Sequence, residues 1–264
     1  MDSYIRHAAF SNEITKQSTH YHDCHQIIFI KKGLIEVAIN GKSQTAQTGD
    51  IVIISRFENH SIKILSPEYE RYILRINNNI PYKDRVFSVF INRPKRFNNV
   101  ISVTPFEEKI DRLLSEVISE QAKKDAFSHP MQNLLLNALM MDVCRLLPEE
   151  IYTFNNTDFD LIFNLQQEFE NNYSADFSLA ELADMYNVSI STLSHNFKKI
   201  TGVSVFEYLL SCRMAAAKTF LTKTNLSISE IVEKCGFTDS SNFSRSFKKL
   251  HSMTPTEFRK KYNK

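Results

Sequence analysis

The first hundred residues alternate short apolar runs with turn signals. The stretch HQIIFIKKGLIEVAINGKSQTAQTGDIVIIS is rich in Ile and Val, and it is interrupted at Lys32-Gly33, Asn40-Gly41 and Gly49-Asp50. Asn-Gly is the strongest short hairpin signal, because both central residues of a type I′ turn take positive φ. The pattern predicts short antiparallel strands over roughly residues 5–100, closed into a small barrel or sandwich.

A helical period begins near residue 105. The segment PFEEKIDRLLSEVISEQA repeats apolar residues at helical spacing, and MQNLLLNALMMDVCRLL is apolar over most of its circumference. Between them, residues 124–129 break the pattern, and Pro130 suits the first turn of the second helix. We therefore predict a helical hairpin over residues 105–147. Its apolar surface has two open interpretations, covering the barrel or forming a subunit interface.

Beyond a predicted linker, residues 148–157 (PEEIYTFNNT), the pattern is wholly helical. Four capping boxes mark helix starts, in which a hydroxyl accepts from a backbone N–H and a Glu reaches back. They are Ser178/Glu181, Ser204/Glu207, Ser227/Glu230 and Thr254/Glu257. The fold class that follows is α+β and multidomain, with a β-barrel domain over residues 1–104 and an all-helical domain over 158–264.

One ten-residue surface occurs twice, as STLSHNFKKI (191–200) and SNFSRSFKKL (241–250). On a helical wheel each copy has an apolar face and an opposite face of hydroxyl and basic residues. A capped short helix precedes each copy, followed by Asn187 or Gly236, residue types that enter the left-handed conformation cheaply. This order predicts two helix-turn-helix units, whose second helix enters the DNA major groove.

The segment between the copies, residues 204–224, contains no Gly and no Pro. About 19 helical residues would span about 28 Å, compared with about 34 Å for one turn of DNA. The spacing predicts that one chain contacts two successive major grooves on one side of double-stranded DNA.

Charge supports a polyanionic partner. Residues 195–264 contain 13 Lys/Arg and 5 Asp/Glu, whereas the whole 264-residue chain has a net charge of only +2. No apolar run approaches the about 18 residues of a membrane span, and the N-terminus lacks an apolar signal core. The four cysteines form no C-x-x-C pair, which is typical of reduced thiols. We therefore predict a cytoplasmic protein with no membrane association.

Side-chain chemistry assigns roles on the two predicted recognition helices. Arg245 can bind guanine bidentately, and Asn242 can do the same with adenine. The serines and His195 can contact base edges or phosphates. Lysines more often contact phosphates, which position the protein without specifying sequence. The phosphate-contact candidates are Lys198, Lys199, Lys248 and Lys249.

Residues 158–262 resemble the DNA-binding domain of the AraC/XylS family of bacterial transcription regulators. The resemblance runs through LAELADMYNVSISTLSHNFKKITGVSVFEYLLSCRMAAAKTFL and SISEIVEKCGFTDSSNFSRSFKKLHSMTPTEFRK. It implies seven helices, with two helix-turn-helix units joined by one helix. It also implies that bases are contacted by Ser191, Ser194, His195, Ser240, Ser241, Asn242 and Arg245.

The stretches HYHDCHQIIFIKKG and GDIVIISRFENHSI resemble the cupin-type sensor domain that many of these regulators carry. The resemblance implies a β-barrel that binds a small effector, commonly a sugar or other metabolite. It also implies that residues 105–147 are a dimerisation element. The expected partners are therefore DNA, a small-molecule effector, a second copy of the chain and RNA polymerase.

Three histidines raise the question of a metal. In metal-binding cupins a His-x-His pair, a Glu four residues on and a later His converge inside the barrel. Here His20, His22 and His60 match, and they would share one side if residues 20–22 formed a strand. Gln26 replaces the Glu, and a neutral amide is a poorer ligand than a carboxylate. We therefore predict a polar effector pocket without metal or cofactor, although exposed or core histidines remain an alternative.

These features predict a sequence-specific DNA-binding regulator, an activator, that responds to an effector bound in the barrel. Two other classes stay open: a metal-dependent cupin enzyme with a helical appendage, and an effector-independent DNA-binding protein whose barrel serves only dimerisation. The chain has no P-loop, no Gly-rich dinucleotide turn and no nucleophile elbow. We therefore predict that it is not an enzyme.

Overall fold

The computed structural model describes residues 2–13, 19–81, 84–91, 97–148, 156–251 and 253–262, with the backbone alone for 156–159. The chain forms two compact units, residues 1–154 and 155–264. The predicted linker, 148–157, lies largely outside the described residues. A helix already begins at Asn156, two residues before the end of the predicted linker, and the linker itself remains a prediction. The finer division at residue 104 remains a prediction.

The first unit is built on antiparallel strands. In the described part of the chain they form a five-stranded sheet in the order β1-β7-β2-β5-β8 and a three-stranded sheet in the order β4-β3-β6. The hairpin predicted at Asn40-Gly41 is confirmed, since φ is 48° at Asn40 and 82° at Gly41. The strands are β1 Ile5–Ser11, β2 His25–Lys32, β3 Leu34–Ile39, β4 Lys42–Gln47, β5 Asp50–Ile54, β6 His60–Ile64, β7 Glu70–Ile76 and β8 Val100–Ser102.

The core lies between the two sheets. On β2, Ile28 and Ile30 face this core together with Val37 of β3 and Ile62 of β6. Burial of β2 on both faces explains its unbroken apolar run, because the alternate residues Ile27 and Phe29 are buried too. The expectation of strands throughout residues 5–100 is wrong at Arg85–Phe90, which forms a 3₁₀ helix with a buried Phe at position 87 and another at position 90.

The predicted helical hairpin is confirmed as α1, Glu107–Lys123, and α2, Ser128–Arg145. An ion pair between Lys109 and the buried Asp142 joins the start of α1 to the end of α2, so the helices are antiparallel. The hairpin also covers the edge strand β1, because the backbone N–H of Ala8 donates to Gln121 Oε1 at 2.7 Å. Covering an edge strand protects it from pairing with another chain.

The second unit contains seven helices within the described residues, as the resemblance implied. All four predicted capping boxes are present, and each pairs a hydroxyl with a backbone N–H and a Glu with the cap residue. Within the described residues, no helix combines the length and the apolar composition that crossing a membrane requires. The helices are α3 Asn156–Asn171, α4 Leu179–Met185, α5 Ile190–Thr201, α6 Val205–Lys223, α7 Ile228–Lys234, α8 Ser240–His251 and α9 Pro255–Tyr262.

Candidate nucleic-acid interface and effector pocket

Two helix-turn-helix units occupy the second unit, α4–α5 and α7–α8. In the first, the turn contains Asn187 with φ of 52°, and in the second it contains Gly236 with φ of 73°. Both residues take the left-handed conformation that the sequence predicted. The turn therefore has the same backbone form in both copies.

The repeated ten-residue segments are buried in the same way. Residues 191–200 and 241–250 show one identical order of buried, half-buried and exposed positions. Leu193 and Phe197 of α5 are fully buried, as are Phe243 and Phe247 of α8. Each segment therefore uses its apolar face for packing and presents the opposite face to solvent.

The predicted DNA-contacting residues lie on these outward faces. Ser194 is half-buried and all the others are exposed. Basic residues occupy the last turn of each helix, where they also stabilise the negative end of the helix dipole. On α5 the outward set is Ser191, Ser194, His195, Lys198 and Lys199, and on α8 it is Ser240, Ser241, Asn242, Arg245, Lys248 and Lys249.

Two helix caps were not predicted from the sequence, because neither belongs to a capping box. Ser189 Oγ accepts from the backbone N–H of Thr192 at 3.0 Å at the start of α5. Asp239 accepts from the backbone N–H groups of Ser241 at 2.9 Å and Asn242 at 3.0 Å at the start of α8. These bonds hold the pKa of Asp239 below its usual value. Ser and Asp before a helix are sufficient cap signals without the partner Glu.

A junction connects the two helix-turn-helix units through the shared helix α6, whose 19 residues match the predicted spacer. Arg213 of α6 donates from Nε to the Tyr173 carbonyl and from Nη2 to the Ala175 carbonyl, each at 2.8 Å. Between those residues, the Ser174 carbonyl lies so close to Gly236 that an added Cβ would be 2.5 Å from its oxygen. The loop before the first unit is thus held against the turn of the second.

Three histidines meet at one end of the barrel. The ring centroids are 4.5 Å apart for His20–His60, 4.8 Å for His20–His22 and 5.2 Å for His22–His60. The expectation that residues 20–22 form a strand is wrong, because only His20 makes a single β-bridge, to His60. The β-bridge brings His20 beside His60, so the rings do not meet because side chains alternate along a strand.

His60 is neutral at physiological pH. Burial lowers its pKa to about 4. Its Nδ1 lies 2.9 Å from the Glu58 carbonyl, which can only accept, so Nδ1 carries the proton. Nε2 therefore presents a lone pair, and within the described residues it is buried without a hydrogen-bond partner, as is Gln26 Oε1.

Imidazole nitrogens are suitable ligands for Zn²⁺ and other divalent transition ions. One nitrogen from each of His20, His22 and His60 lies within 4.8 Å of the others, so these three residues could hold such an ion. Gln26 occupies the position of the expected acidic fourth ligand and carries no charge. Buried acceptors of this kind also suit a polar organic molecule with hydroxyl groups.

Two helix-turn-helix units joined by one shared helix, combined with a separate barrel that encloses polar groups, define a DNA-binding transcription regulator with a ligand-binding domain. Comparison with known proteins agrees. The description "AraC-like ligand binding domain" matches residues 2–141, and "helix-turn-helix domain" matches residues 182–261. The chain belongs to the AraC family of transcription regulators.

Similar proteins cover nearly the whole chain. The HTH-type transcriptional activator RhaR of Mannheimia succiniciproducens is 25% identical over 253 residues, which are 93% of this chain and 88% of that protein. The HTH-type transcriptional activator RhaS of an Enterobacter species is 24% identical over 252 residues, 91% of this chain and 86% of that protein. Family membership decides against the alternative of a metal-dependent enzyme.

Solved structures show the same fold. ToxT from Vibrio cholerae has a TM-score of 0.65 at 15% identity and covers 98% of this chain and 99% of its own. A ToxT structure with bound unsaturated fatty acid has a TM-score of 0.60 at 16% identity and covers 96% and 93%. At this identity the likeness concerns the fold alone.

Proposed function

We propose that this protein is a cytoplasmic, homodimeric transcription activator that binds DNA through α5 and α8 and responds to a small molecule in its barrel. The observation that carries the proposal is the identical burial of residues 191–200 and 241–250. Two copies of one outward surface suit a target that presents the same feature twice, and the DNA major groove recurs once per turn. The activators RhaR and RhaS, which share most of the chain's length, support activation. An activator implies RNA polymerase as a further partner.

Base recognition is assigned to the first two turns of the two recognition helices and phosphate contact to their last turns. Arg245 suits guanine, and within the described residues its side chain makes one hydrogen bond, at 3.4 Å from Nε to the Ser241 carbonyl, and interacts electrostatically with Asp239. The guanidinium therefore has further donors for a base edge. Lys248 and Lys249 are exposed in the last turn of α8, where phosphates are the expected partners.

Selection of bound DNA from a random pool by the full-length protein tests this assignment. The expected result is two conserved half-motifs about 10 base pairs apart, corresponding to one turn. Footprinting on the selected DNA should then show protection of both half-motifs. Protection that does not depend on sequence would reject specific regulation.

The homodimer is assigned to α2. The N-cap residue Phe127 and three residues of the helix, Met131, Leu134 and Met141, are exposed and apolar, with exposed fractions of 76%, 42%, 65% and 50%. With the half-buried Ala138, they recur at alternating intervals of four and three residues, which is the spacing of a coiled-coil seam. A second copy of the same helix has the complementary spacing, so a symmetric helix pair would remove these side chains from water.

We expect Leu134→Glu to convert the dimer to a monomer, because it places a charge at the most exposed aliphatic position of the seam. Size-exclusion chromatography with light scattering measures the change. His129→Glu is the matched control, since His129 is exposed on the same helix but lies outside the seam. A Leu134→Glu protein that remains dimeric would place the interface elsewhere.

The effector pocket is assigned to His20, His22, Gln26 and His60, because the three rings converge and because Gln26 Oε1, like His60 Nε2, is a buried acceptor without a hydrogen-bond partner in the described residues. A ligand can change DNA binding only by favouring one arrangement of the protein over another. A thermal-shift screen of metabolites detects binding through the increase in apparent stability. If a bound metabolite left the DNA affinity unchanged, the barrel would serve only dimerisation, as in the remaining alternative.

A further inference from the structure

Two arginines lie on the inward face of β7. Side chains alternate along a strand, so Gln26 shares the inward face of Ile28 and Ile30. In the antiparallel register of β2 and β7, Gln26 is opposite Arg75 and Ile30 is opposite Arg71. Arg71 and Arg75 therefore face the same interior as the core.

Neither arginine has a counter-charge among the described residues. Arg71 is only 4% exposed, and Arg75 is half-buried. The Arg71 guanidinium donates one hydrogen bond, to the Tyr69 hydroxyl at 3.5 Å, and lies 5.4 Å from the centre of the Tyr69 ring. The Nε atoms of Arg71 and Arg75 are both buried without a hydrogen-bond partner. A guanidinium stays charged at all ordinary pH values, so an unpaired one in an apolar interior is strongly unfavourable. Such groups are usually kept because something anionic pairs with them.

The neutral groups that face the same interior as Arg75 are hydrogen-bond acceptors that need a donor. Gln26 Oε1 and His60 Nε2 are buried acceptors without donors among the described residues. Gln26 is the cross-strand partner of Arg75, so these two side chains start from neighbouring backbone positions on the same face. One end of the barrel thus presents cationic donors and neutral acceptors side by side. A complementary ligand carries an anionic group together with hydroxyl groups.

Resting on the proposed sensor function, we propose that the effector is a hydroxylated organic anion whose anionic group pairs with Arg75 while its hydroxyls donate to Gln26 and His60. Arg71 lies two inward positions along β7 and adds positive potential inside the barrel, which favours entry of an anion. A carboxylate, as in a sugar acid, and a phosphate, as in a sugar phosphate, satisfy the same chemistry. A neutral sugar has the hydroxyls but no anionic group, and an unhydroxylated fatty acid has the anionic group but no hydroxyls.

The test measures melting temperature and isothermal titration of the full-length protein with a series of ligands. The series contains sugar acids, sugar phosphates, the matching neutral sugars and unhydroxylated carboxylates of similar length. We expect binding only by compounds that carry both an anion and hydroxyls, and the first two arms identify which anion is recognised. Equal binding of neutral sugars, or no binding by any sugar acid or sugar phosphate, would overturn the inference.

Variants separate recognition from structure. Arg75→Met should weaken ligand binding about tenfold to a hundredfold, since a charge-assisted hydrogen bond contributes about 1.5–3 kcal/mol. It should not lower the melting temperature without ligand, because within the described residues the guanidinium makes no hydrogen bond or ion pair that would be lost. Lys63→Met is the matched control, as Lys63 is exposed on β6 between the inward positions 62 and 64. An unliganded protein destabilised by Arg75→Met would show a structural role and reject the proposal.

Two further outcomes distinguish this inference from the proposed function. If Zn²⁺ raises the melting temperature, the sugar acids do not, and Arg75→Met has no effect, the histidine cluster is a metal site and the inference fails. DNA selection with the same protein is independent of the ligand series. Specific DNA binding without any anion binding would leave the regulator intact and reject only the effector class.

Discussion

Replacing Gly236 with alanine should destabilise the second helix-turn-helix unit specifically. Two properties of the position act together. Its φ of 73° lies in the left-handed region, and an added Cβ would be 2.5 Å from the Ser174 oxygen and 2.8 Å from the Ser174 Cα. The obstructing atoms belong to the backbone of a loop that Arg213 holds through two hydrogen bonds, so they cannot rotate away.

The expected magnitude follows from these terms. A left-handed conformation costs a residue with a Cβ about 1–2 kcal/mol, and overpacking costs about 1–3 kcal/mol. The reduced freedom of the unfolded chain offsets about 0.4–1 kcal/mol of this. The net loss in the free energy of unfolding is therefore roughly 1–4 kcal/mol.

Urea denaturation followed by far-ultraviolet circular dichroism measures the loss, since the chain contains no Trp for fluorescence. Asn187→Ala is the matched control, because Asn187 has the same backbone form at φ of 52° but already carries a Cβ. That variant should lose less than about 1 kcal/mol. Equal losses in the two variants would mean that the contact with Ser174 does not constrain the junction. Footprinting should also show that Gly236→Ala weakens protection at the α8 half-motif before the α5 half-motif.

Further predictions concern DNA contacts and pH. Arg245→Ala should cost about 1–3 kcal/mol of binding and relax base preference at one position, whereas equal loss on all sequences would contradict a base contact. Lys249→Ala should weaken binding to every sequence and reduce the salt slope by about 1, measured by titrations at several salt concentrations. Because burial lowers the pKa of His60 from 6.5 to about 4, the unfolded chain binds more protons between these values. The free energy of unfolding should therefore fall as pH drops through this window, by up to about 3 kcal/mol, and His60→Gln should flatten the dependence.

Local features of this protein follow from its sequence. The four capping boxes, the Asn40-Gly41 turn and the positive φ of Asn187 and Gly236 each depend on residues only a few positions apart. Such interactions form in the same way wherever the segment lies in the fold. The repeated segments were equally predictable, because helical periodicity separates buried from exposed positions before any packing partner is known.

Other features depend on chain segments that are distant in sequence. The strand register turns Arg71 and Arg75 inward opposite β2, and a single charged residue within a strand pattern gives no indication of which face it occupies. Nothing near Arg213 or Gly236 in sequence reveals the Tyr173–Ala175 loop that both contact. The histidines met through one β-bridge and not through the predicted strand. Sequence determined the helices, the turns and the outward faces of α5 and α8 through short-range physics, whereas only tertiary structure decided which polar groups became buried together.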